Sequence, residues 1–166
     1  MRLIRYSLLA FATSVGLVAV AWAGVQLPPT AREIAALKAV SDDSVKWDTK
    51  GAVRADVTCD GRADLVAVGY SKGSLWVSVL PSSVSTSSGK PMIFRFAVDR
   101  NVQEAVCTVP VRIRYYPIQC SDDDYGHYEG CRTVRGRSGF AVSDNECDPL
   151  EFYWDSTHRR LEWLRH

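Results

Sequence analysis

The sequence predicts an α+β fold that is mostly antiparallel β, with one short helix near the N-terminus. Runs rich in β-branched and aromatic residues follow one another along most of the chain, and turn-forming residues separate them. A single stretch with helical spacing and a helix-capping signature precedes these runs. Once an N-terminal leader is removed, about 143 residues remain, which is enough for one domain with its own core.

The first residues are typical of an export signal. Arg2 and Arg5 form a positive region, a long apolar stretch follows, and Ala-Trp-Ala at 21–23 supplies a cleavage pattern of small residues. A retained membrane anchor is the alternative. We expect residues 1–23 to be cleaved as a signal peptide and residues 24–166 to form a single β-rich domain. The mature protein is then periplasmic or secreted, with no membrane anchor.

The charge balance bears on the class of partner. The chain has 20 Lys and Arg against 19 Asp and Glu, and two arginines leave with the leader. The mature domain then carries a net charge of about −1. Since nucleic-acid binding requires a basic surface, we expect no nucleic-acid partner.

One helix is predicted from PPTAREIAALKAVSDD, residues 28–43. Thr30 is a good N-cap, and Glu33 three residues later completes a capping box. The helix is expected to end near Ser41, where a polar link begins. Its apolar face, which we expect to pack on a sheet, consists of Ile34, Leu37 and Val40.

The first strands form a predicted hairpin. ADLVAVGY and SLWVSVL are β-rich runs joined by a turn at Ser71-Lys72-Gly73. The segment that follows, residues 81–91, is small, polar and bounded by prolines, which predicts a loop. MIFRFAVD then alternates in the manner of a third strand.

Two further β-rich stretches complete the domain. A run between Pro110 and Pro117 continues the alternation, and the prolines place it near a sheet edge or divide it in two. Residues 150–165, LEFYWDSTHRRLEWLR, are a second hairpin candidate. Trp154 and Trp163 flank its turn, and aromatic cross-strand pairs stabilise such ribbons.

All five cysteines lie in the mature part of the chain. An exported chain enters an oxidising compartment, so disulfides are expected, and the odd number leaves one cysteine over. Cys120 and Cys131 are the predicted pair because they bracket a polar, turn-rich loop, while the sequence leaves the rest of the pairing open. A zinc site is the competing interpretation, but no CxxC pair occurs and the three histidines are scattered. The cysteines are Cys59, Cys107, Cys120, Cys131 and Cys147.

The segment DVTCDGRADL, residues 56–65, carries oxygen atoms at alternate positions. This spacing suits a loop that wraps calcium, and Gly61 at the sixth position permits the sharp turn. An EF-hand is excluded because the twelfth position is Ala67 rather than Glu and a strand follows. The open alternative is a turn held by side-chain hydrogen bonds alone. The predicted ligands are Asp56, Thr58, Asp60, the carbonyl of Arg62, and Asp64.

This loop resembles the calcium loops of integrin-type FG-GAP and related β-propeller repeats, in which D-x-[DNT]-x-D-G-x-x-D-[LV] leads into a strand. There is one copy, so a whole propeller is excluded by length. A single such loop in a small exported β-rich domain is also similar to periplasmic lysozyme inhibitors and to related immunity proteins that neutralise lysozyme-like toxins. The resemblance implies a structural calcium ion and a protein partner, a lysozyme or a lysozyme-like toxin.

The stretch between Cys120 and Cys131 is the predicted partner-binding surface. A disulfide between them would hold it in one shape, and its tyrosines and carboxylates suit a cationic hydrolase. A solvated turn with no partner is the alternative. The predicted contact residues are Asp122, Asp123, Asp124, Tyr125, His127 and Tyr128. Three arginines beyond it, Arg132, Arg135 and Arg137, either balance this acidic charge or bind an anion.

We expect no catalytic activity. The sequence contains no GxSxG, HExxH or P-loop motif. Cys107 with His127 or His158 is one way to write a nucleophile and a base, so a cell-envelope hydrolase is the alternative to a binding protein. A structural surface module without activity is the third reading.

Overall fold

The computed structural model describes residues 27–82, 90–122, 126–133 and 138–165. The expected leader lies outside these residues, as does most of the loop predicted at 81–91. Among the residues described, no helix has the length and apolar character that a membrane span needs.

The predicted helix is present as α1, Ala31–Ala39. The Thr30 hydroxyl accepts a hydrogen bond from the Glu33 N–H at 3.3 Å, and the Glu33 carboxylate accepts one from the Thr30 N–H at 2.7 Å. This reciprocal pair is a capping box, so the predicted start of the helix is confirmed.

The rest of the regular structure in the described chain consists of β-strands. They are β1, Lys46–Trp47; β2, Val53–Ala55; β3, Asp64–Ser71; β4, Ser74–Leu80; β5, Met92–Ala97; β6, Arg112–Pro117; β7, Ser121–Asp122; β8, Gly126–His127; β9, Ser138–Ser143; β10, Leu150–Asp155; and β11, Arg160–Leu164. The described part of the protein is therefore mostly antiparallel β with one short helix, as the sequence predicts.

Two sheets contain nearly all of these strands. In sheet I the order is β1-β3-β4-β5, and β2 pairs with the same side of β3 as β1 does, at the other end of β3. In sheet II the order is β11-β10-β9-β6. The hairpin of β3 and β4 is confirmed, with Ser71 opposite Ser74. β6 is an edge strand, which agrees with its flanking prolines.

The two sheets face each other across the main core. The ring of Phe152 stacks on Phe140 at 4.5 Å between centroids and meets Phe94 edge to face at 5.2 Å. Phe96 meets Trp163 in the same edge-to-face way at 5.0 Å. Because these rings come from both sheets, their packing holds the sheets face to face.

The C-terminal hairpin of β10 and β11 is confirmed, but its aromatic pairing differs from the prediction. Trp154 lies opposite Leu161, and Trp163 lies opposite Phe152. The two tryptophans therefore do not pair with each other. Trp163 instead contributes to the contact with sheet I.

The outer face of sheet I is covered by α1. Leu37 is fully buried there in one cluster with Leu65, Ala67 and Leu80. β3 is consequently buried on both faces, which explains its continuous apolar run. Val40, predicted on the packing face of the helix, is exposed, so that part of the prediction is wrong. The helix has ended by then, and Val40 is its C-cap.

Two disulfides are present. Cys120 is joined to Cys131, which confirms the predicted pair, and Cys107 is joined to Cys147. Cys59 belongs to neither bridge. Two disulfides fit a protein that folds in an oxidising compartment.

Candidate functional site

Asp64 organises the DVTCDGRADL loop, which runs from the end of β2 into β3. The side chain is fully buried. Its Oδ2 accepts hydrogen bonds from the N–H groups of Val57 at 3.1 Å and Thr58 at 2.9 Å. Its Oδ1 accepts one from the Ser82 N–H at 3.0 Å, at the end of β4. The carboxylate therefore joins the loop to the segment that follows β4.

The environment of Asp64 disfavours its negative charge. Burial raises the pKa of this carboxyl to about 6, although hydrogen bonds from the Thr58 and Ser82 N–H groups lower it in part. The neighbouring Asp60 carboxylate adds a smaller upward contribution to the same pKa. A positive charge close to the loop would favour the ionised form of Asp64.

The other two aspartates of the loop bind its backbone. Asp56 accepts hydrogen bonds from the N–H groups of Asp60 and Gly61, both at 3.0 Å. Asp60 accepts one from the Arg62 N–H at 2.8 Å. Cys59 and Gly61 have left-handed backbone conformations, with φ of 59° and 92°, which allow the tight reversal. Side-chain hydrogen bonds to the backbone thus hold this reversal of the loop.

The fit of a calcium ion to this loop is partial. Across the described part of the chain, no three His, Cys, Asp or Glu side chains come together as a metal site. The Thr58 hydroxyl is buried and meets no hydrogen-bond partner of acceptable geometry, although it lies near enough to Asp64 to lower that carboxyl's pKa. Calcium binding stays a prediction.

The second candidate region is the disulfide hairpin, residues 120–131. Its strands β7 and β8 pair antiparallel, and the Tyr128 N–H donates to the Cys120 carbonyl at 2.8 Å. Tyr128 packs against Tyr153 of β10, with 5.3 Å between ring centroids. Cys120 and Cys131 form a small buried cluster with Ile118. The hairpin therefore has its own apolar base on the outer face of sheet II.

The end of the hairpin is fixed to the β10–β11 turn. The Ser156 N–H donates to the Gly130 carbonyl at 2.8 Å, and the backbone of Cys131 forms an isolated antiparallel β-bridge with that of Asp155. Gly130 has φ of 67°, and a Cβ atom there would lie 1.8 Å from an Asp155 carboxylate oxygen. Only glycine suits this position, because both the backbone angle and the contact exclude a side chain.

The predicted contact residues occupy different settings. His127 is exposed, whereas Tyr128 is half-buried because it packs on Tyr153. Asp122 is in β7, and residues 123–125 lie outside the described residues. Of the three arginines beyond the hairpin, Arg132 is exposed and the other two, Arg135 and Arg137, also lie outside the described residues.

The Cys107–Cys147 bridge excludes Cys107 as a nucleophile, so that interpretation is wrong. Asp144 accepts hydrogen bonds from the backbone at both cysteines of this disulfide. Its Oδ2 accepts from the N–H groups of Cys107 at 2.6 Å and Thr108 at 3.0 Å, and its Oδ1 accepts from those of Glu146 and Cys147 at 2.9 Å each. Burial raises the pKa of Asp144, but these four donors outweigh it and leave the pKa below its ordinary value.

One polar pair, that of Asp155 and His158, was not predicted from the sequence. His158 Nδ1 lies 2.5 Å from Asp155 Oδ2, and Asp155 also accepts from the N–H groups of Thr157 and His158. The hydrogen bonds from His158 and Thr157 hold the pKa of the buried Asp155 below its ordinary value. The signal was the Asp-Ser-Thr-His order, which is typical of an Asx turn.

The chain was compared with known protein families, curated proteins and solved structures, and it matches none of them. The function is therefore inferred from the geometry of these regions and from the chemistry of their side chains.

Proposed function

We propose that the protein is an exported binding protein and that the disulfide hairpin contacts its partner, which is itself a protein. The observation that carries this proposal is how firmly the hairpin is held. Cys120 and Cys131 close it, Tyr128 packs on Tyr153, and the Gly130 carbonyl is bound by Ser156. A contact surface whose base is fixed before binding loses less conformational entropy on binding.

The acidic charge of the hairpin indicates the class of partner. Asp122, Asp123, Asp124 and Glu129 lie within eight consecutive residues, and Glu129 is exposed. Such a sequence favours a cationic partner. Together with the resemblance to lysozyme inhibitors and their immunity-protein relatives, this supports a cell-wall hydrolase of the lysozyme class as the partner.

Inhibition assays test this proposal. The mature domain is expected to suppress a lysozyme-class hydrolase at near-stoichiometric ratio, and added salt is expected to weaken the effect because charges steer the encounter. A variant with Asp122, Asp123 and Asp124 changed to Asn is expected to lose inhibition. If hydrolases of every lysozyme class keep full activity, the proposed partner class is wrong.

A charge-matched control separates the hairpin from net charge. The changes Asp43→Asn, Glu104→Gln and Asp148→Asn remove the same number of charges from exposed positions elsewhere in the chain. This variant is expected to inhibit as the native domain does. Equal loss in both variants would assign the effect to overall charge and would remove the hairpin as the contact surface.

We also propose that the DVTCDGRADL loop binds calcium in a structural role. The supporting observations are the tight reversal of the loop at Gly61 and the carboxylates of the half-buried Asp56 and the exposed Asp60, which lie on that reversal. Asp64 is better placed to brace the loop than to bind the ion, since its carboxylate is fully buried and accepts hydrogen bonds from three N–H groups. Asp56, Thr58, Asp60 and the Arg62 carbonyl would then hold the ion, with oxygen ligands of the kind that calcium prefers.

Thermal unfolding tests the calcium proposal. Chelator is expected to lower the melting temperature and added calcium to restore it, because a ligand that binds only the folded state stabilises it. Asp60→Ala is expected to abolish the response, while Asp43→Asn is expected to retain it. Identical melting curves with chelator and with millimolar calcium would show that hydrogen bonds alone hold the loop.

A further inference from the structure

β5 is an edge of sheet I, because it is the last strand in the order β1-β3-β4-β5. Its pairing with β4 determines which of its backbone groups face outward. The Val98 N–H, just beyond β5, donates to the Gly73 carbonyl on the β4 side at 3.1 Å. Since alternate residues of an antiparallel strand bond to opposite sides, Ile93, Arg95 and Ala97 direct their N–H and C=O groups away from β4.

The outward side of β5 is covered at its end and open along its middle. The Ala97 carbonyl accepts from the Val106 N–H at 3.0 Å, where the chain returns beside the end of the strand. Among the described residues, no strand lies beside Ile93 and Arg95 on this side. Their two N–H and two C=O groups form an edge to which an extended chain can add.

An open cleft of about 410 Å3 lies against this edge. All five residues from 93 to 97 line it. Since successive side chains of a strand point to opposite faces, a cleft lined by all five runs along the edge itself. The other walls come from Val102 and Glu104, in the connection between β5 and β6, and from Trp163 of β11. The free space therefore lies where an added strand would pass.

One side of the cleft is apolar. Val102 is 46% exposed and Trp163 is half-buried, so both offer apolar surface to a ligand. Phe94 and Phe96 of β5 point to the same side, where their rings meet those of sheet II. A strand added beside β5 directs the residues opposite these two phenylalanines to that side as well. Apolar residues are therefore favoured at those two positions of the added strand.

Arg95 points to the other side of β5 and is exposed. Its Nε and Nη2 donate to the Ser74 hydroxyl at 3.1 and 3.0 Å, and its guanidinium lies over the Trp76 ring at 5.3 Å. These contacts keep the cation beside the edge, where a carboxylate on the residue opposite Arg95 would meet it. Glu104 is also exposed and favours a basic residue at an end of the added strand.

We propose that the β5 edge binds an extended segment of a partner protein, which adds to sheet I as a further strand. The segment has an acidic residue opposite Arg95, an apolar residue on each side of it, and a basic residue near Glu104. Backbone hydrogen bonds to Ile93 and Arg95 hold the segment, and the side chains give the selectivity. Because β5 belongs to sheet I and the disulfide hairpin packs on sheet II, the two surfaces are separate.

The probe is the synthetic peptide Lys-Thr-Val-Glu-Val-Thr-Lys, capped at both ends. Its symmetric sequence presents the same side chains in either strand direction. It is titrated into the isotope-labelled mature domain with both disulfides intact, and binding is followed by NMR. The expected shifts are at the Ile93 and Arg95 amides and the Trp163 indole. At about ten times Kd, hydrogen exchange at the two amides is expected to slow by up to about tenfold.

Two singly N-methylated peptides separate strand addition from other modes of binding. With Glu opposite Arg95, the Glu N–H points to β5 in an antiparallel strand, and the N–H of the following Val does so in a parallel one. Methylation of one of these nitrogens is expected to abolish binding, while methylation of the other leaves the affinity nearly unchanged. Equal affinities of the two methylated peptides, or no shift at Ile93 and Arg95 with the unmodified one, would overturn the proposal.

Variants of the domain test the selectivity. Arg95→Glu is expected to weaken binding of the probe by about fivefold and to prefer a peptide in which Lys replaces the central Glu. Val102→Ser is expected to weaken binding, whereas Val109→Ser, at a valine of similar exposure that does not line the cleft, is expected to have no effect. If the domain alone dimerises with concentration and its Ile93 and Arg95 amides become protected, a second copy occupies the edge and the proposal is wrong.

Discussion

The Arg54 guanidinium binds the Glu33 carboxylate through two hydrogen bonds, Nη1 to Oε1 at 2.9 Å and Nη2 to Oε2 at 2.8 Å. Glu33 also closes the capping box with Thr30, so one carboxylate both starts α1 and fastens it to β2. Burial raises the pKa of Glu33, but its bonds to Arg54 and Thr30 outweigh that and leave the pKa below its ordinary value. The pair therefore positions the helix on sheet I.

Arg54→Met is expected to lower the free energy of unfolding by about 1–3 kcal/mol, because it leaves a mostly buried carboxylate without its cation. Urea denaturation measures this change. Arg160→Met is the matched control, since the Arg160–Glu162 pair is far more exposed and such pairs contribute about 0–1 kcal/mol. Equal losses in the two variants would contradict the role given to Arg54.

Asp144 is expected to make the protein sensitive to acid. Its pKa is lower in the folded state than in the unfolded chain, so its ionised form stabilises the fold above about pH 4. That contribution is lost as the pH falls through the folded-state pKa. Asp144→Asn is expected to lower stability at pH 7 and to weaken the dependence of the urea midpoint on pH between about 5 and 2. An unchanged pH dependence would contradict this prediction.

Asp64→Asn is expected to destabilise the protein far more than Asp60→Asn. Asparagine has one acceptor oxygen and an NH2 donor in place of the second oxygen. Either the N–H groups of Val57 and Thr58 or that of Ser82 would then face a donor instead of an acceptor. The expected loss is about 2–4 kcal/mol, against less than about 1 kcal/mol for the exposed Asp60. Urea denaturation in chelator compares the two variants, and similar values for both would be evidence against the central position of Asp64.

Two glycines of the disulfide hairpin allow a controlled comparison. Gly126 and Gly130 have φ of 70° and 67°, but a Cβ atom meets nothing within 4 Å at Gly126 and overlaps the Asp155 carboxylate at Gly130. Alanine at either position is expected to lower the free energy of unfolding by about 1 kcal/mol because of the left-handed backbone. Gly130→Ala is expected to cost about 1–3 kcal/mol more because of the overlap. Thermal unfolding measures both, and equal losses would show that Asp155 moves aside freely.

Local sequence patterns were sufficient for features whose residues lie close together in the chain. The Thr30–Glu33 capping box, the turn at 71–73 and the Cys120–Cys131 bridge each depend on residues within about a dozen positions. The second bridge joins residues 40 positions apart, and no local pattern distinguishes that pairing from the others. The assembly of sheet II likewise depends on a distant pairing, that of β6 with β9.

The strands that the sequence did not predict are short or show no clear alternation of apolar and polar residues. β1 and β2 have two and three residues, too few for an alternation to be visible. β9 begins within a segment rich in Arg and Gly, which suggests a loop. At the candidate site the sequence indicated which oxygens the loop contains. It did not indicate that Asp64 would bind Ser82, since that contact depends on β4 returning to the same end of sheet I.

The two disulfides are nested, because Cys120 and Cys131 both lie between Cys107 and Cys147. A protease that cut the backbone once anywhere between 108 and 146 would therefore leave the two fragments covalently joined. Such a nicked molecule would migrate as one species on a gel until a reductant separated it. Such a cut would thus leave the C-terminal strands attached to the rest of the protein.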